Sequence, residues 1–408
     1  MLNSKGLAAA RPWPVYLLAF AVPLSMAATS VARALVLVAA LAVLVHGLAR
    51  ASRVDFRGLA TPAFVLAMLA ALALSLAWTD ASLSDSLWSL VKYSKLLVIP
   101  LVLVLVRNRR EAVLAMTWYL GAETFVLSSS ILLGMGVPLP WRVATKGQAS
   151  VFASYLDQSI MTAGFAAICW HLRHEFPGRR GSTVAIGLAL LALLNVIFQM
   201  PGRTGYVSAL AALSLALYWQ FPGRWRLAAA VLPPLLIALA QLGSHQFKER
   251  TMLLIDEVQA YQQLDKVSTS TGLRLNMWRS AAAAIAERPA TGWGIGSWPR
   301  QYVLRDKGRD MVYSGRGGNP HQEFLLWGVH LGVPGIALML GLLCVLVRDS
   351  LRIALAEKRA LLTLIALLTL ACLFNSTLYD ALIGDYFCVL IGVLLALGLA
   401  NTPRQAAT

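Results

Sequence analysis

The chain has 408 residues, of which 58% are hydrophobic and 13% charged, and its formal net charge is +16. An ordinary soluble domain carries about 25% charged residues, so this composition excludes one. The apolar residues come in blocks of about 20, the length that a helix needs to cross a bilayer. We therefore predict an all-α integral membrane protein, in which the location of the basic residues matters more than their number.

About twelve membrane-spanning helices can be drawn along the chain, starting with the N-terminus in the cytoplasm. The first apolar block has no convincing cleavage site, which favours a span over a removed signal peptide. The connections after even-numbered spans are rich in arginine, as cytoplasmic loops are. We expect spans one to nine in 1–242, a helical periplasmic loop in 243–320, and spans ten to twelve in 321–408. The predicted centres lie near residues 22, 40, 69, 97, 122, 161, 191, 211, 233, 335, 362 and 391.

Arg203 stands out in the connection between the seventh and eighth predicted spans. It ends the triplet Pro201-Gly202-Arg203, in an outer turn so short that the side chain must lie near the membrane. A cation there opposes the positive-inside bias, and ionisable groups at such depth usually face a cavity and mark function. Anchoring to lipid headgroups is the alternative explanation. We predict a functional role for Arg203.

The long loop carries an excess of positive charge, with eleven of the 35 Lys and Arg residues. Since the loop is on the outer side, this charge indicates an anionic partner. Two helices are predicted in it, at 247–264 and 271–288, the second opened by N-cap candidates in 268–271. Arg274 and Arg288 lie seven residues on either side of Ala281, so we expect these three residues to share one helix face.

A glycine-rich stretch, Gly292-Trp293-Gly294-Ile295-Gly296, follows Pro289. Its spacing and its lack of a strand–helix context exclude a dinucleotide fingerprint. The glycines instead favour a close approach between backbones.

His321 lies where the chain returns to the membrane. In Asn319-Pro320-His321-Gln322-Glu323 we expect Asn319 to be the N-cap, Pro320 the first helical residue and Gln322 the capping-box partner. His321 would then lie in the first turn of span ten, where the helix dipole disfavours the imidazolium. A neutral histidine there can act as a base near pH 7. The alternative is that His321 has no catalytic role and only ends an interfacial helix. The histidine alone does not distinguish a catalytic base from such a residue.

Three motifs together resemble the O-antigen ligase family, within the wider group that includes O-antigen polymerases and protein O-oligosaccharyltransferases. Each is weak alone, but their order and spacing over about residues 195–330 are fairly specific. Gln322 stands where many relatives carry Asn, a mild departure. The motifs are Gly202-Arg203-Thr204-Gly205, then Arg274-Leu275-Asn276-Met277-Trp278 leading to the glycine-rich stretch, and Asn319-Pro320-His321-Gln322-Glu323-Phe324-Leu325.

The resemblance implies a GT-C-like glycosyltransferase acting at the periplasmic face of a bacterial inner membrane, without a cofactor or nucleic acid. The implied donor is a glycan on undecaprenyl diphosphate, and the implied acceptor is a sugar hydroxyl of lipid A–core. A diphosphate leaving group needs charge stabilisation, which suits the bidentate guanidinium groups of Arg203 and Arg274, with assistance from Arg288 or Lys266. The acceptor hydroxyl needs a base, for which His321 is the candidate.

Metal-independent catalysis is expected, because the first outer loops offer only Asp80 and Asp85 and no adjacent acidic pair. Hard cations want several oxygen ligands. The four cysteines (Cys169, Cys344, Cys372 and Cys388) fall within apolar spans, which indicates small core residues and neither a disulfide framework nor a thiolate zinc site. Direct attack of the hydroxyl on the anomeric carbon would invert its configuration.

Three other functions remain open. A polymerase, whose acceptor is a second lipid-linked glycan, would use the same arginines and histidine. A protein O-oligosaccharyltransferase usually carries a larger outer region near its C-terminus. A transporter would show repeated halves and charges near the midplane. We find no convincing repeat, and only Glu123 and Asp157 look buried mid-span, which packing or interhelical hydrogen bonds would explain.

Overall fold

The computed structural model describes residues 9–49, 56, 58–143, 149–200, 202–242, 269–306 and 318–401. Throughout these residues the chain is helical, with no β-strand. The described α-helices are α1 (Trp13–Ala21), α2 (Met26–Ala49), α3 (Thr61–Leu74), α4 (Leu83–Tyr93), α5 (Val98–Leu105), α6 (Arg109–Gly134), α7 (Tyr155–His171), α8 (Gly178–Gln199), α9 (Arg203–Gln220), α10 (Arg226–Leu242), α11 (Ser270–Glu287), α12 (Trp298–Asp306), α13 (Glu323–Leu331), α14 (Val333–Ser350), α15 (Leu355–Phe374) and α16 (Ala381–Asn401).

Five helical segments in the described part of the chain are long and apolar enough to cross a membrane. The prediction of a helical membrane protein is confirmed in this form, whereas the count of about twelve spans and the GT-C-like architecture stay predictions. Each predicted centre lies within or next to a helix, but several of these helices are short or polar. The five segments are Met26–Gly47, Leu83–Leu105, Gly178–Gln199, Val333–Ser350 and Ala381–Asn401.

The last helix, α16, is the centre of the helical assembly. Its apolar stretch is 94% buried, against 28% for Met26–Gly47. A helix that is hydrophobic all round can be enclosed on every side, and α16 packs against α5, α6 and α15. This position fixes the α15–α16 connection, residues 375–380, at one end of the bundle.

The tenth predicted span consists of two helices and not one. Gly332 separates α13 from α14 with φ +71°, a conformation that L side chains rarely adopt. The Val333 N–H donates to Pro289 O at 2.7 Å, so the break docks on the end of the loop region. The hydrophobic pattern runs through Gly332, which is why the sequence did not show the break.

Buried charge extends beyond the two residues that the sequence indicated. Glu123 is fully buried in α6, as expected, whereas Asp157 lies in the first turn of α7 and not mid-span. Asp385 lies inside α16 and is 3% exposed. Its carboxylate pairs with Arg33 of α2 at 2.9 Å, which compensates its burial. The expectation that only two charges are buried is therefore wrong.

The second predicted loop helix is confirmed as α11. Thr269 caps it, accepting a hydrogen bond from the Gly272 N–H at 2.9 Å. Ala281 is fully buried, whereas Arg288 is the C-cap and has left helical geometry, so the two do not share a face as expected. The other predicted helix, 247–264, lies outside the described residues.

The glycine-rich stretch has the close backbone contacts that its sequence predicts. Gly292, Gly294 and Gly296 all have positive φ, of +63°, +83° and +81°. A Cβ at Gly296 would lie 2.8 Å from the backbone of Ser86, and one at Gly294 would overlap Thr79. Only glycine satisfies both requirements, so this stretch packs the loop region against Thr79, between α3 and α4, and against the start of α4.

The cysteines are mostly core residues, as expected. Cys169, Cys372 and Cys388 are buried and free, whereas Cys344 on α14 is free but exposed.

Candidate active site

In the motif at 274–278 of α11, some residues hold neighbouring segments in place and one, Arg274, contributes to a polar site. Met277 is fully buried, and the Asn276 amide donates to the Tyr302 hydroxyl at 3.1 Å and to Asp306, clamping α12 against α11. Trp278 donates its indole N–H to Pro320 O at 3.1 Å. Arg274, a turn before Trp278, is half-buried and faces the same region. The motif therefore holds the chain before α13 and places one guanidinium beside it.

Arg203 reaches this region because two glycines let α9 approach α7. A Cβ at Gly205 would lie 2.5 Å from the Ser159 Cβ, and one at Gly202 would lie 3.3 Å from the Tyr155 ring. Arg203 itself is the first residue of α9 and is exposed. The glycines of the first motif thus set the position of the arginine between them.

His321 does not lie in the first turn of a helix, contrary to the sequence-based expectation. Helix α13 begins at Glu323, and its N-cap is Gln322, whose side chain accepts a hydrogen bond from the Leu325 N–H at 2.5 Å. His321 precedes the cap with φ +52°, the one described non-glycine residue with positive φ. The expected cap at Asn319 and first helical residue at Pro320 are therefore wrong. A nearer side chain, Gln322, competes for the free amides of the first turn.

Asn319 has a different task, which is to hold the turn that carries His321. Its Oδ1 accepts the His321 N–H at 2.9 Å, an Asx-type contact two residues on. Its Nδ2 donates to Asp380 Oδ1 at 3.0 Å. The Gln322 N–H adds a bond to Ser376 Oγ at 3.2 Å. The histidine turn is thereby tied to the α15–α16 connection.

Glu323 also attaches α13 to that connection. Glu323 is fully buried, and its Oε2 accepts hydrogen bonds from the backbone N–H groups of Leu378 at 2.8 Å and Tyr379 at 3.3 Å. Its Oε1 accepts hydrogen bonds from the Tyr93 hydroxyl and the Trp327 indole, each at 3.1 Å. Four donors satisfy one buried carboxyl, so the start of α13 is rigidly placed.

The charges of the site act on one another. Burial, and then the positive charge of Arg274, lower the pKa of His321 below its ordinary value of 6.5. Burial also lowers the pKa of Arg274, with Tyr155 opposing and Arg203 adding to the effect. Neither Arg203 nor Arg274 forms an ion pair within the described residues. The arrangement is a neutral imidazole beside two guanidinium groups that lack a carboxylate, which suits an anionic ligand.

Asp380 supplies a carboxylate on the α15–α16 side of the histidine turn. Burial and the nearby charge of Asp157 raise its pKa from 3.8 to about 6, while Lys95 and Lys92 oppose the shift. Through Asn319 it is linked to the backbone of His321. It therefore influences the histidine by position and not by direct contact.

Arg288, which was expected at the site, is not brought to it. Arg288 lies at the opposite end of α11 from Arg274, about 21 Å along the axis at 1.5 Å per residue. Its guanidinium packs over the Trp293 ring at 4.0 Å. Lys266 lies outside the described residues. The structure thus brings together Arg203, Arg274 and His321 of the five predicted residues.

Tyr155 and Asp380 are polar residues of this region that the sequence reading missed. Tyr155 opens α7 after the Ser154 N-cap, and Asp380 ends the α15–α16 connection. Neither stands in a recognisable motif, and both belong to segments distant in sequence from the three motifs. To identify them from the sequence, one would have had to know that the starts of α7 and α16 lie at the same end of the bundle as the three motifs.

No metal-binding cluster of three His, Cys, Asp or Glu residues occurs in the described parts of the chain. This observation does not decide whether the reaction needs a metal ion, which is tested by chelation with EDTA.

The comparison with known protein families places a match over the middle of the chain. Residues 187–340 match the family model described as O-antigen ligase. The matched segment runs from α8 into α14 and contains Arg203, Arg274 and His321, whereas Tyr155 and Asp380 lie outside it. No curated protein matches the chain. This segment, which is less than half of the 408 residues, is similar to the O-antigen ligase family.

Proposed function

We propose that this protein is an O-antigen ligase of a bacterial inner membrane. It transfers a glycan from undecaprenyl diphosphate to a sugar hydroxyl of lipid A–core at the periplasmic face. His321 is the general base, and Arg203 and Arg274 bind the diphosphate. The family match supports a transferase acting on lipid-linked glycans in general, and the residue roles rest on the geometry of the site.

One observation carries the proposal, which is that Arg274 lies within electrostatic range of both Arg203 and His321 although the three residues are far apart in sequence. Arg274 shifts the pKa of His321, and Arg203 shifts that of Arg274, so the three form one electrostatic unit. A lipid diphosphate needs permanent positive charge, and an acceptor hydroxyl needs a neutral base. The site offers both.

The reaction is a single displacement. The acceptor oxygen attacks the anomeric carbon and forms the new glycosidic bond, while the bond from that carbon to the diphosphate oxygen breaks. The hydroxyl proton goes to His321, and the electron pair leaves with the diphosphate. The two guanidinium groups stabilise the charge that develops on the leaving group. Inversion at the anomeric carbon follows, and retention in the product would contradict this scheme.

A transfer assay with purified protein, lipid-linked glycan and lipid A–core tests the base assignment. We expect His321→Ala to lower turnover by on the order of 100-fold or more. His46→Ala is the matched control, because His46 lies in α2, away from the site. Near-normal turnover of a folded His321→Ala protein would show that another group is the base.

The same assay tests metal dependence. We expect EDTA to leave turnover unchanged, because two arginines hold the position that a divalent cation fills in many membrane glycosyltransferases. Loss of activity in EDTA, restored by Mg²⁺ or Mn²⁺, would contradict the metal-independent mechanism.

A ligase and a polymerase differ in the acceptor that they use, which is lipid A–core for the ligase and a second lipid-linked glycan for the polymerase. A strain without this protein should lose all capped lipopolysaccharide while still building polymer on the lipid carrier. Loss of the polymer itself would instead assign the chain as a polymerase.

A further inference from the structure

A polar cavity lies at the end of the bundle opposite the candidate active site. Helices α7 and α9 begin at that site and run about 25 Å to their other ends, at 1.5 Å per residue. There, with the start of α15 and the end of α16, they enclose a cavity of about 510 Å³. The basic connections place this end in the cytoplasm by prediction. Nothing in the proposed reaction uses it.

Two arginines that line this cavity have no carboxylate partner within the described residues. Arg173 and Arg359 form no ion pair there, and Arg359 Nε has no hydrogen-bond partner at all. Of the two acidic lining residues, Glu175 is paired with Arg109 at 2.7 Å. The fully buried Glu357 accepts a hydrogen bond from Asn401 through Oε1, whereas its Oε2 has no partner within the described residues. Two unpaired guanidinium groups therefore face one unpaired carboxyl group, and the balance of charge in the cavity is positive.

Arg173 is held in a fixed orientation. Its Nη1 donates to Trp170 O at 2.6 Å, its Nη2 donates to Gln220 Oε1 at 3.1 Å, and its guanidinium packs over the Trp170 ring at 4.4 Å. Two of its five N–H donors are used, so the remaining donors are available to a ligand. A planar donor group fixed in advance loses little freedom when it binds a phosphate.

The start of α15 adds to the positive character of the same cavity. Residues 354–357 line it, and the N-cap, Ala354, has no side chain that can accept a hydrogen bond from the first-turn amides. The dipole of this 20-residue helix presents its positive end to the cavity, where Glu357 in the first turn offsets part of it. A helix start and two unpaired guanidinium groups converge on one space.

Two tryptophans in the lining favour a position of the cavity at the level of lipid headgroups. Trp170 and Trp219 both line it, and Trp219 packs edge-on against His171 at 5.2 Å. Tryptophan is enriched at the boundary between membrane and water, and basic pockets between helices on the cytoplasmic side suit acidic headgroups. We infer that this cavity binds the phosphate of an anionic phospholipid headgroup, between Arg173 and Arg359.

Thermal unfolding of the full-length protein in detergent tests this site without reference to transfer activity. The probes are phosphatidylglycerol, phosphatidylcholine and inorganic phosphate. We expect phosphatidylglycerol to raise the Tm most, since two unpaired cations favour a headgroup of net negative charge. In Arg173→Gln and in Arg359→Gln, the lipid concentration that gives half of the shift should rise by about tenfold. Lys358→Gln is the matched control, because it removes a neighbouring cation that does not line the cavity.

Two outcomes would overturn the inference. One is an unchanged response to phosphatidylglycerol in both arginine variants. The other is equal stabilisation by inorganic phosphate at the same concentration, which would assign the site to a soluble anion. If the variants do not fold, native mass spectrometry of the unaltered protein decides. Retained phosphatidylglycerol in preference to phosphatidylcholine supports the site, and no preference refutes it.

Discussion

The Asn319 amide donates a hydrogen bond to Asp380 across 3.0 Å, and its carbonyl oxygen accepts the backbone N–H of His321. This pair of contacts joins the turn before α13 to the connection before α16. It also explains how His321 is kept at φ +52°, a conformation that costs a non-glycine residue free energy. The positioning of the histidine thus depends on a residue that does not touch the reacting atoms in the proposed mechanism.

Replacing Asn319 by Ala should impair transfer through the position of His321. Loss of the Asx contact releases the turn, and a displacement of about 1 Å at a reacting group can lower the rate by on the order of 100-fold. We expect kcat to fall with a smaller change in KM. Steady-state kinetics in the transfer assay would measure both.

Ser376→Ala is the control for this prediction, because Ser376 holds the same turn through Gln322 and not through His321. Its kcat should stay close to that of the unaltered protein. Equal losses in the two variants would mean that Asn319 stabilises the turn in general and does not position the histidine.

The arginines should divide into two classes. Arg203→Gln and Arg274→Gln remove charge from the leaving group and should each lower turnover by on the order of 100-fold. Arg288→Gln should leave turnover nearly unchanged, because Arg288 lies at the far end of α11 and packs on Trp293. Turnover of each variant, measured at a saturating concentration of the lipid-linked donor, distinguishes the two classes of arginine. A large loss in Arg288→Gln alone would mean that the diphosphate lies near Trp293.

The pH dependence of transfer should report the lowered pKa of His321. The neutral imidazole is the active form, so the rate should be constant at neutral pH and fall as the pH drops through the pKa, below 6.5. In Arg274→Gln the neighbouring positive charge is gone, so the pKa rises and the acid limb moves to higher pH. The pH profile of kcat/KM for the residual activity measures this shift.

Asp380, whose pKa is raised to about 6, titrates in the same range and needs its own control. The acid limb should persist in Asp380→Asn if it belongs to His321. Disappearance of the limb in that variant would assign the titration to the carboxyl group instead.

Gly294 should be far less tolerant of substitution than a glycine in an open helix. Gly294→Ala places a Cβ against Thr79 at φ +83°, which should cost about 2 kcal/mol or more of unfolding free energy. Gly187→Ala is the matched control in α8, where a Cβ meets nothing within 4 Å, and alanine there should be neutral or slightly stabilising. Thermal unfolding of both variants checks the difference. An equal Tm for the two variants would mean that the 292–296 stretch is not rigidly packed.

The sequence by itself determined the helical membrane class, the helix at α11 and the three motifs that contain Arg203, Arg274 and His321. These features depend on composition, on the N-cap residue Thr269 and on spacing within short segments, all of which are local. The tertiary structure decided which of these residues meet. Arg288 follows Arg274 by two intervals of seven residues, yet the length of α11 separates them, and Arg288 has already left helical geometry.

The turn at His321 is a more detailed example of the difference between what the local sequence determines and what tertiary contacts determine. Asn319-Pro320 reads as a helix start, but Gln322 caps α13 while Asn319 bonds to Asp380, 61 residues further along the chain. Capping preferences are weak, about 1 kcal/mol, so a contact with another segment can redirect them. Sequence alone could name the histidine. Only the packing of α13 against the α15–α16 connection set its backbone and its neighbours.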